Sequence, residues 1–155
     1  MKKNLIPIAA IALLTLSCNS NTHPSLGFTD STIGTYDSLT VLDTNESGGP
    51  STVVYHVGQE ERVRQYYSNH SLRCEGTRVD GVQEGRWVFY YPDGHIQTEC
   101  TFVGGKEEGS YRVYRENGAP YYIGQYTAGV RTGTWEIYDQ EGNLVTTQDY
   151  GTPNS

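Results

Sequence analysis

The chain repeats itself at a fixed interval, the span from Gly81 to Gly105, and that period limits its fold more than any other feature. Gly81, Gly105 and Gly129 fall in one column, and so do Gly85, Gly109 and Gly133. Tyr90, Tyr114 and Tyr138 form a third column, and Gly94, Gly118 and Gly142 a fourth. Aromatics recur at Trp87, Tyr111 and Trp135, and again at Phe102, Tyr126 and Tyr150. A degenerate earlier copy sets Val63 under Trp87, Tyr66 under Tyr90, Tyr67 under Tyr91 and Leu72 under Ile96, without the glycines. A unit this short cannot bury its own apolar face. It must stack on its neighbours, and terminal units are commonly irregular.

Each unit reads as a β-hairpin. Arg86 to Tyr91 is a run of aromatic and β-branched residues suited to a strand. Pro92-Asp93-Gly94 is a turn in which Pro fixes φ and Gly supplies a positive φ. His95 to Val103 returns, and Gly104-Gly105-Lys106 turns again. The glycine ahead of each Trp or Tyr marks a bulge or a close backbone approach, and the Gly density excludes helix. The expected fold is all-β: an elongated antiparallel meander of about three and a half hairpins, at residues 60–80, 81–104, 105–128 and 129–151. Alternation places Trp87, Phe89 and Tyr91 on one face, with Val88 and Tyr90 on the other. It places Ile96, Thr98, Cys100 and Phe102 together, and Pro120, Tyr122, Gly124 and Tyr126 together. The Trp87/Phe89 face, being more apolar, is the expected interior.

Gly81-Val82-Gln83-Glu84-Gly85-Arg86-Trp87-Val88-Phe89-Tyr90-Tyr91-Pro92-Asp93-Gly94 resembles a MORN-type repeat in its bacterial variant. The resemblance runs from about residue 60 to 151. It implies a sheet of successive hairpins used as an interaction module, and related bacterial chains are often labelled as antitoxin components.

The N-terminus carries an address. Lys2 and Lys3 precede an apolar stretch from Leu5 to Leu16, which ends in Ser17-Cys18. This reads as a secretory signal over residues 1–17, and it is similar to a bacterial lipoprotein signal. That similarity implies a lipidated (palmitate-bearing) Cys18 as the membrane anchor, with Asn19 favouring the outer membrane. Residues 18–50, rich in Ser, Thr, Asn, Asp and Gly, read as a lipidated cysteine and flexible tether. Asp30-Ser31-Thr32 and Asp37-Ser38-Leu39 resemble O-glycosylation acceptors, although a plain solvated linker accounts for them. The repeat domain is expected over 51–155.

Charge and chemistry narrow the function. The chain has 11 Lys+Arg against 18 Asp+Glu, for a net charge of −7. Removal of the signal takes two lysines and leaves −9, which disfavours nucleic acid and selects basic partners. Cys74 and Cys100 lie on successive return strands with one strand between them. Two strand spacings separate them by about 10 Å, beyond the ~7 Å a disulfide spans, so free thiols are expected. His23, His56, His70 and His95 show no metal-ligand spacing. Ser71, His70 and Glu75 are sequence neighbours rather than a triad drawn from distant segments. Glu60-Glu61 and Glu107-Glu108 read as solvated turns. No catalytic residue, metal or cofactor is expected. Tyr90, Tyr114 and Tyr138 suit cross-strand packing, while the less regular Tyr91, Tyr121 and Tyr122 are candidates for a partner surface. The expected function is non-catalytic binding at the cell envelope, of another envelope protein. A toxin-neutralising antitoxin or immunity protein and a glycan-contacting structural lipoprotein are the alternatives. Open sheet ends can also pair edge to edge.

Overall fold

The computed structural model describes residues 22–23, 28–29, 35–46 and 48–152. The signal segment, Cys18, Asp30-Ser31-Thr32 and most of the expected tether lie outside them. β1 (Thr22–His23) pairs with β2 (Phe28–Thr29) in a two-stranded sheet. One antiparallel sheet of 11 strands holds β3 (Ser38–Thr44), β4 (Pro50–Val57), β5 (Glu60–Tyr66), β6 (Leu72–Val79), β7 (Val82–Tyr90), β8 (Ile96–Val103), β9 (Lys106–Glu107), β10 (Gly109–Tyr114), β11 (Pro120–Thr127), β12 (Val130–Tyr138) and β13 (Leu144–Asp149). Strands follow one another in chain order, and β9 pairs with β8 ahead of β10. No described residue is helical. The architecture is therefore the all-β meander that the repeat implies.

Two kinds of turn alternate. The two-residue loops Asp80-Gly81, Gly104-Gly105 and Ala128-Gly129 have positive φ at both positions, as a type I′ hairpin requires. The longer loops close on Gly94, Gly118 and Gly142, also at positive φ. In the first of these, the Gly94 N–H donates to the Tyr91 carbonyl at 2.9 Å and the Tyr91 N–H to that of His95 at 2.8 Å. In the degenerate copy His70 occupies the glycine column and adopts φ 66°.

Bulges correct the simple alternation. Tyr90 pairs with Ile96 while Phe89 pairs with Thr98, so Gln97 is an extra residue on β8. The same slip makes Arg73, Tyr121 and Val145 the extra residues of β6, β11 and β13. Ile96 therefore shares a face with Tyr90 rather than with Thr98, and Pro120 sides with Tyr114 rather than with Tyr122. A second bulge falls where Glu75 pairs with Val88 but Thr77 with Glu84, beside Gly85 at φ 67°.

The structure also moves the expected boundary at residue 50. β3 pairs with β4 from Ser38 to Thr44, and Leu39 and Tyr36 join Val53 and Tyr55 in a buried cluster. Asp37-Ser38-Leu39 is thus part of the fold. The polar flanks hid a short alternating strand whose Leu39 is 2% exposed. A second cluster, on the other face, runs from Val54 and Val63 through Cys74 and Trp87 to Cys100 and Phe102. This is the Trp87/Phe89 face expected to be interior.

Candidate functional site

On the tryptophan face each Trp lies flat over a glycine of the preceding strand. A Cβ on Gly76 would come within 2.2 Å of the Trp87 ring, and one on Gly124 within 2.2 Å of Trp135. The indole N–H groups donate to the carbonyls of Thr77 at 3.0 Å and Gln125 at 3.2 Å, two repeat periods apart. The middle unit changes both partners together, with Tyr111 in place of Trp and Cys100 in place of Gly. A smaller ring leaves room for a thiol. Each ring also meets, edge-on, the aromatic at the far end of its own hairpin: Trp87–Phe102, Tyr111–Tyr126 and Trp135–Tyr150, at 6.3, 5.0 and 6.1 Å. β7 separates Cys74, opposite Phe89, from Cys100, opposite Trp87. Both cysteines are free and buried. Burial raises both thiols above their usual pKa, Cys100 to about 11.

The opposite face carries a ladder of carboxylates and tyrosines. Tyr90 donates to Glu75 at 2.7 Å, and Tyr114 donates to Glu99 at 3.2 Å. The third member of that carboxylate column is Ile123, and Tyr138 turns instead to Glu136 at 2.6 Å. Arg64 binds Glu75 at 2.8 Å and Arg86 binds Glu99. These side chains cover Val88, which is 2% exposed. Burial, aided by the hydrogen bond to Glu75, pushes Tyr90 up to about 12. The Arg86 guanidinium holds Glu99 below the usual carboxylate range.

Along the longer turns, side chains staple one hairpin to the next. Tyr67 donates to the Tyr90 carbonyl at 2.7 Å and Tyr91 to that of Tyr114 at 2.9 Å. Arg115, the next member of the column, donates to the Tyr138 and Asp139 carbonyls at 2.8 and 3.2 Å. Tyr121 sits in the bulge, which brings its ring centroid within 3.9 Å of that of its neighbour Tyr122. The Arg115 guanidinium lies 3.9 Å from the Tyr121 centroid. Tyr121 is therefore in contact with both Arg115 and Tyr122. A shallow groove lined by Tyr91, Arg115, Glu116, Asn117, Tyr121 and Gln140 runs alongside.

The other chemical candidates are scattered. His70 occupies a turn, Ser71 bonds Asn69, and Glu75 is held by Arg64 and Tyr90. Among the described residues no group of three or more His, Cys, Asp or Glu could hold a metal ion.

On the tryptophan face toward the C-terminus, the exposed Arg131 and Tyr150 cover the buried Trp135. Arg131 stacks at 4.5 Å over Trp135 and donates to the hydroxyls of Tyr126 at 3.4 Å and Tyr150 at 3.1 Å. Tyr150 is 45% exposed, whereas Phe102 in the equivalent position is 8% exposed. Arg131, Gly76 and Glu99 were not singled out from the sequence, Glu75 was weighed only as a triad member, and Gly124 only as a residue on the Tyr122/Tyr126 face. The two glycines are two periods apart, and Glu75 and Glu99 are one period apart, but Cys100 and Ile123 break those columns.

Hairpins stacked through shared side-chain columns define a repeat array built on one continuous antiparallel sheet. Residues 83–103 and 131–150 match the MORN repeat variant family, so the chain carries two segments similar to MORN-variant repeats. The unit between them, with Tyr111 for Trp and Cys100 for Gly, is not among the matched segments. No curated protein and no solved structure matches the chain.

Proposed function

We propose that this chain is a non-catalytic binding module of the cell envelope, held to the membrane through a lipidated Cys18, and that its partner is another envelope protein. Repeats of the matched family serve generally as binding modules. The observation that carries the reading is the exposed pair Arg131 and Tyr150, held over the buried Trp135 and beside Tyr126. Trp, Tyr and Arg dominate interface hot spots because they offer large contact area at low entropic cost. The surrounding acidic chain selects a partner with basic surface. The glycan alternative gains little from Tyr121, whose ring is already engaged by Arg115 and Tyr122.

Lys2, Lys3, the Leu5 to Leu16 stretch and the Ser17-Cys18 junction support the anchor. Metabolic labelling with palmitate should tag the chain, and Cys18→Ala should abolish the tag. Affinity capture from native envelopes tests the surface. The parent chain should retain a partner in stoichiometric amount that an Arg131→Ala/Tyr150→Ala variant loses. Equal capture by both overturns the assignment of this face. A captured partner that is a co-encoded toxin, bound one to one, would identify the antitoxin reading instead.

A further inference from the structure

We propose that β13 is a self-complementary edge through which two copies of this chain pair about a two-fold axis, joining their sheets into one. The inference is independent of the partner reading above.

The two ends of the sheet differ. β3, at one end, slips register twice, at Val41/Asp43 and Asp43/Thr44, and anchors Leu39 in a buried cluster. Repeated bulges of this kind blunt an edge. β13, at the other end, carries Leu-Val-Thr-Thr-Gln-Asp, slips register only once, at Val145, and runs regularly from Thr146 to Asp149. All six residues are exposed, Leu144 by 53% and Val145 by 62%. Among the described residues no strand pairs with its outer side. An open, sparsely charged edge of this kind is a template for strand addition.

Charge and direction favour a second copy as the occupant. A two-fold axis perpendicular to the sheet sets the two β13 strands antiparallel, which continues the alternation that every other neighbouring pair obeys. With Thr147 facing its own symmetry mate, Thr146 faces Gln148 on either side, within the regular stretch that follows the bulge at Val145. The only charged residue of the strand, Asp149, then stands about 14 Å along the ribbon from its copy, four residues at strand rise. That exceeds the Debye length of about 8 Å at physiological salt, so repulsion is screened. Cross-strand Thr–Thr pairs are favourable. The same operation keeps both tryptophan faces on one side and doubles the Arg131/Tyr150 platform, so that a partner with two sites is held multivalently.

The test is the mass of the full chain in detergent, by light scattering with bound detergent subtracted, beside a Val145→Lys/Thr147→Lys variant. The parent should have twice the chain mass at micromolar concentration, and the variant the mass of one chain with an unchanged circular dichroism spectrum. A single-chain mass for the parent, a dimer that survives both lysines, or a mass that grows without limit (head-to-tail stacking of β13 on β3) overturns the proposal. If the variant unfolds, Thr147→Cys decides. Mild oxidation should cross-link it into a dimer, while Ser110→Cys, exposed on the same sheet, stays monomeric. Equal cross-linking at both positions overturns the proposal as well.

Discussion

The Gly76/Trp87 and Gly124/Trp135 units and the Cys100/Tyr111 unit between them solve one packing problem in two ways. A thin sheet has little interior, so a large ring must lie flat on the neighbouring strand to be buried. Over Gly76 and Gly124 the indole sits where a Cβ would be, and its N–H reaches a backbone carbonyl one strand away. In the middle unit a thiol fills part of that space and the smaller ring has no such bond to make. The repeat therefore maintains a volume and a contact, shared between two columns, rather than a residue type at each position. Interior packing tolerates substitution when total volume is kept.

The largest effects should separate the two kinds of unit. Trp135→Ala removes a buried ring and its hydrogen bond and should cost about 3–5 kcal/mol, enough to shift the urea midpoint markedly. Tyr111→Ala, from a half-buried ring, should cost about 1.5–3 kcal/mol. Equal losses would mean that the indole-over-glycine arrangement has no special role.

Next comes the exchange itself. Gly76→Cys forces a side chain into the Trp87 ring and should cost about 1–3 kcal/mol. Adding Trp87→Tyr recreates the middle unit and should recover part of that loss, with a coupling of about 0.5–3 kcal/mol in a double-mutant cycle. Strict additivity in urea denaturation would break the comparison.

How far these features were legible follows the same logic. The turns and strands were readable because Gly94, Gly118 and Gly142 satisfy a local demand for positive φ, and local demands show as single columns. The Trp/Gly pairing is a demand shared by residues on different strands, Gly76 with Trp87 and Gly124 with Trp135, and it shows only as a joint change. Ile96 and Pro120 were placed on the wrong face because one extra residue per return strand leaves no trace in an alternation count. β3 was read as tether because Asp37, Ser38, Thr40 and Asp43 outweigh Leu39 and Val41 in composition, although burial of Leu39 decides the outcome. Tyr91, a candidate for partner contact, spends its hydroxyl on the Tyr114 carbonyl, which a column of hydroxyl and guanidinium donors (Tyr67, Tyr91, Arg115) could have suggested.

The tyrosine ladder offers a smaller test between units. Tyr90→Phe leaves Glu75 without one donor and should cost about 1 kcal/mol. Tyr138→Phe, whose partner Glu136 lies on its own strand and so ties no two strands together, should cost less. Tyr90 also sets an alkaline limit. Its folded pKa of about 12 lies above the ordinary value of 10.0. Its contribution is therefore complete below pH 10, and is lost as pH rises through 12 because the unfolded chain ionises first. Thermal melts from pH 9 to 12 should fall less steeply for Tyr90→Phe than for the parent. Glu99 works in the opposite sense. Its lowered pKa gives a contribution present above about pH 4.5, the ordinary value, and lost as pH falls below it.

The smallest effect contrasts two of the three type I′ turns. Gly104-Gly105 has glycine at both positive-φ positions, whereas Ala128 stands at φ 50° in the equivalent first position. An L-residue in the left-handed region costs roughly 1–2 kcal/mol, and Gly removes that cost. Gly also loses more backbone freedom on folding, by roughly 0.5–1 kcal/mol relative to Ala. The difference between these two terms predicts that Ala128→Gly stabilises the chain by about 0.5 kcal/mol. The Ala128 N–H, which donates to Glu108 at 2.8 Å, is kept in the variant. Gly104→Ala should reverse the sign, because it places a Cβ in a turn whose φ is 55°. Urea midpoints of the two variants should therefore move in opposite directions. A shift in the same direction would show that the β11–β12 turn is held by the Glu108 contact rather than by its backbone preference.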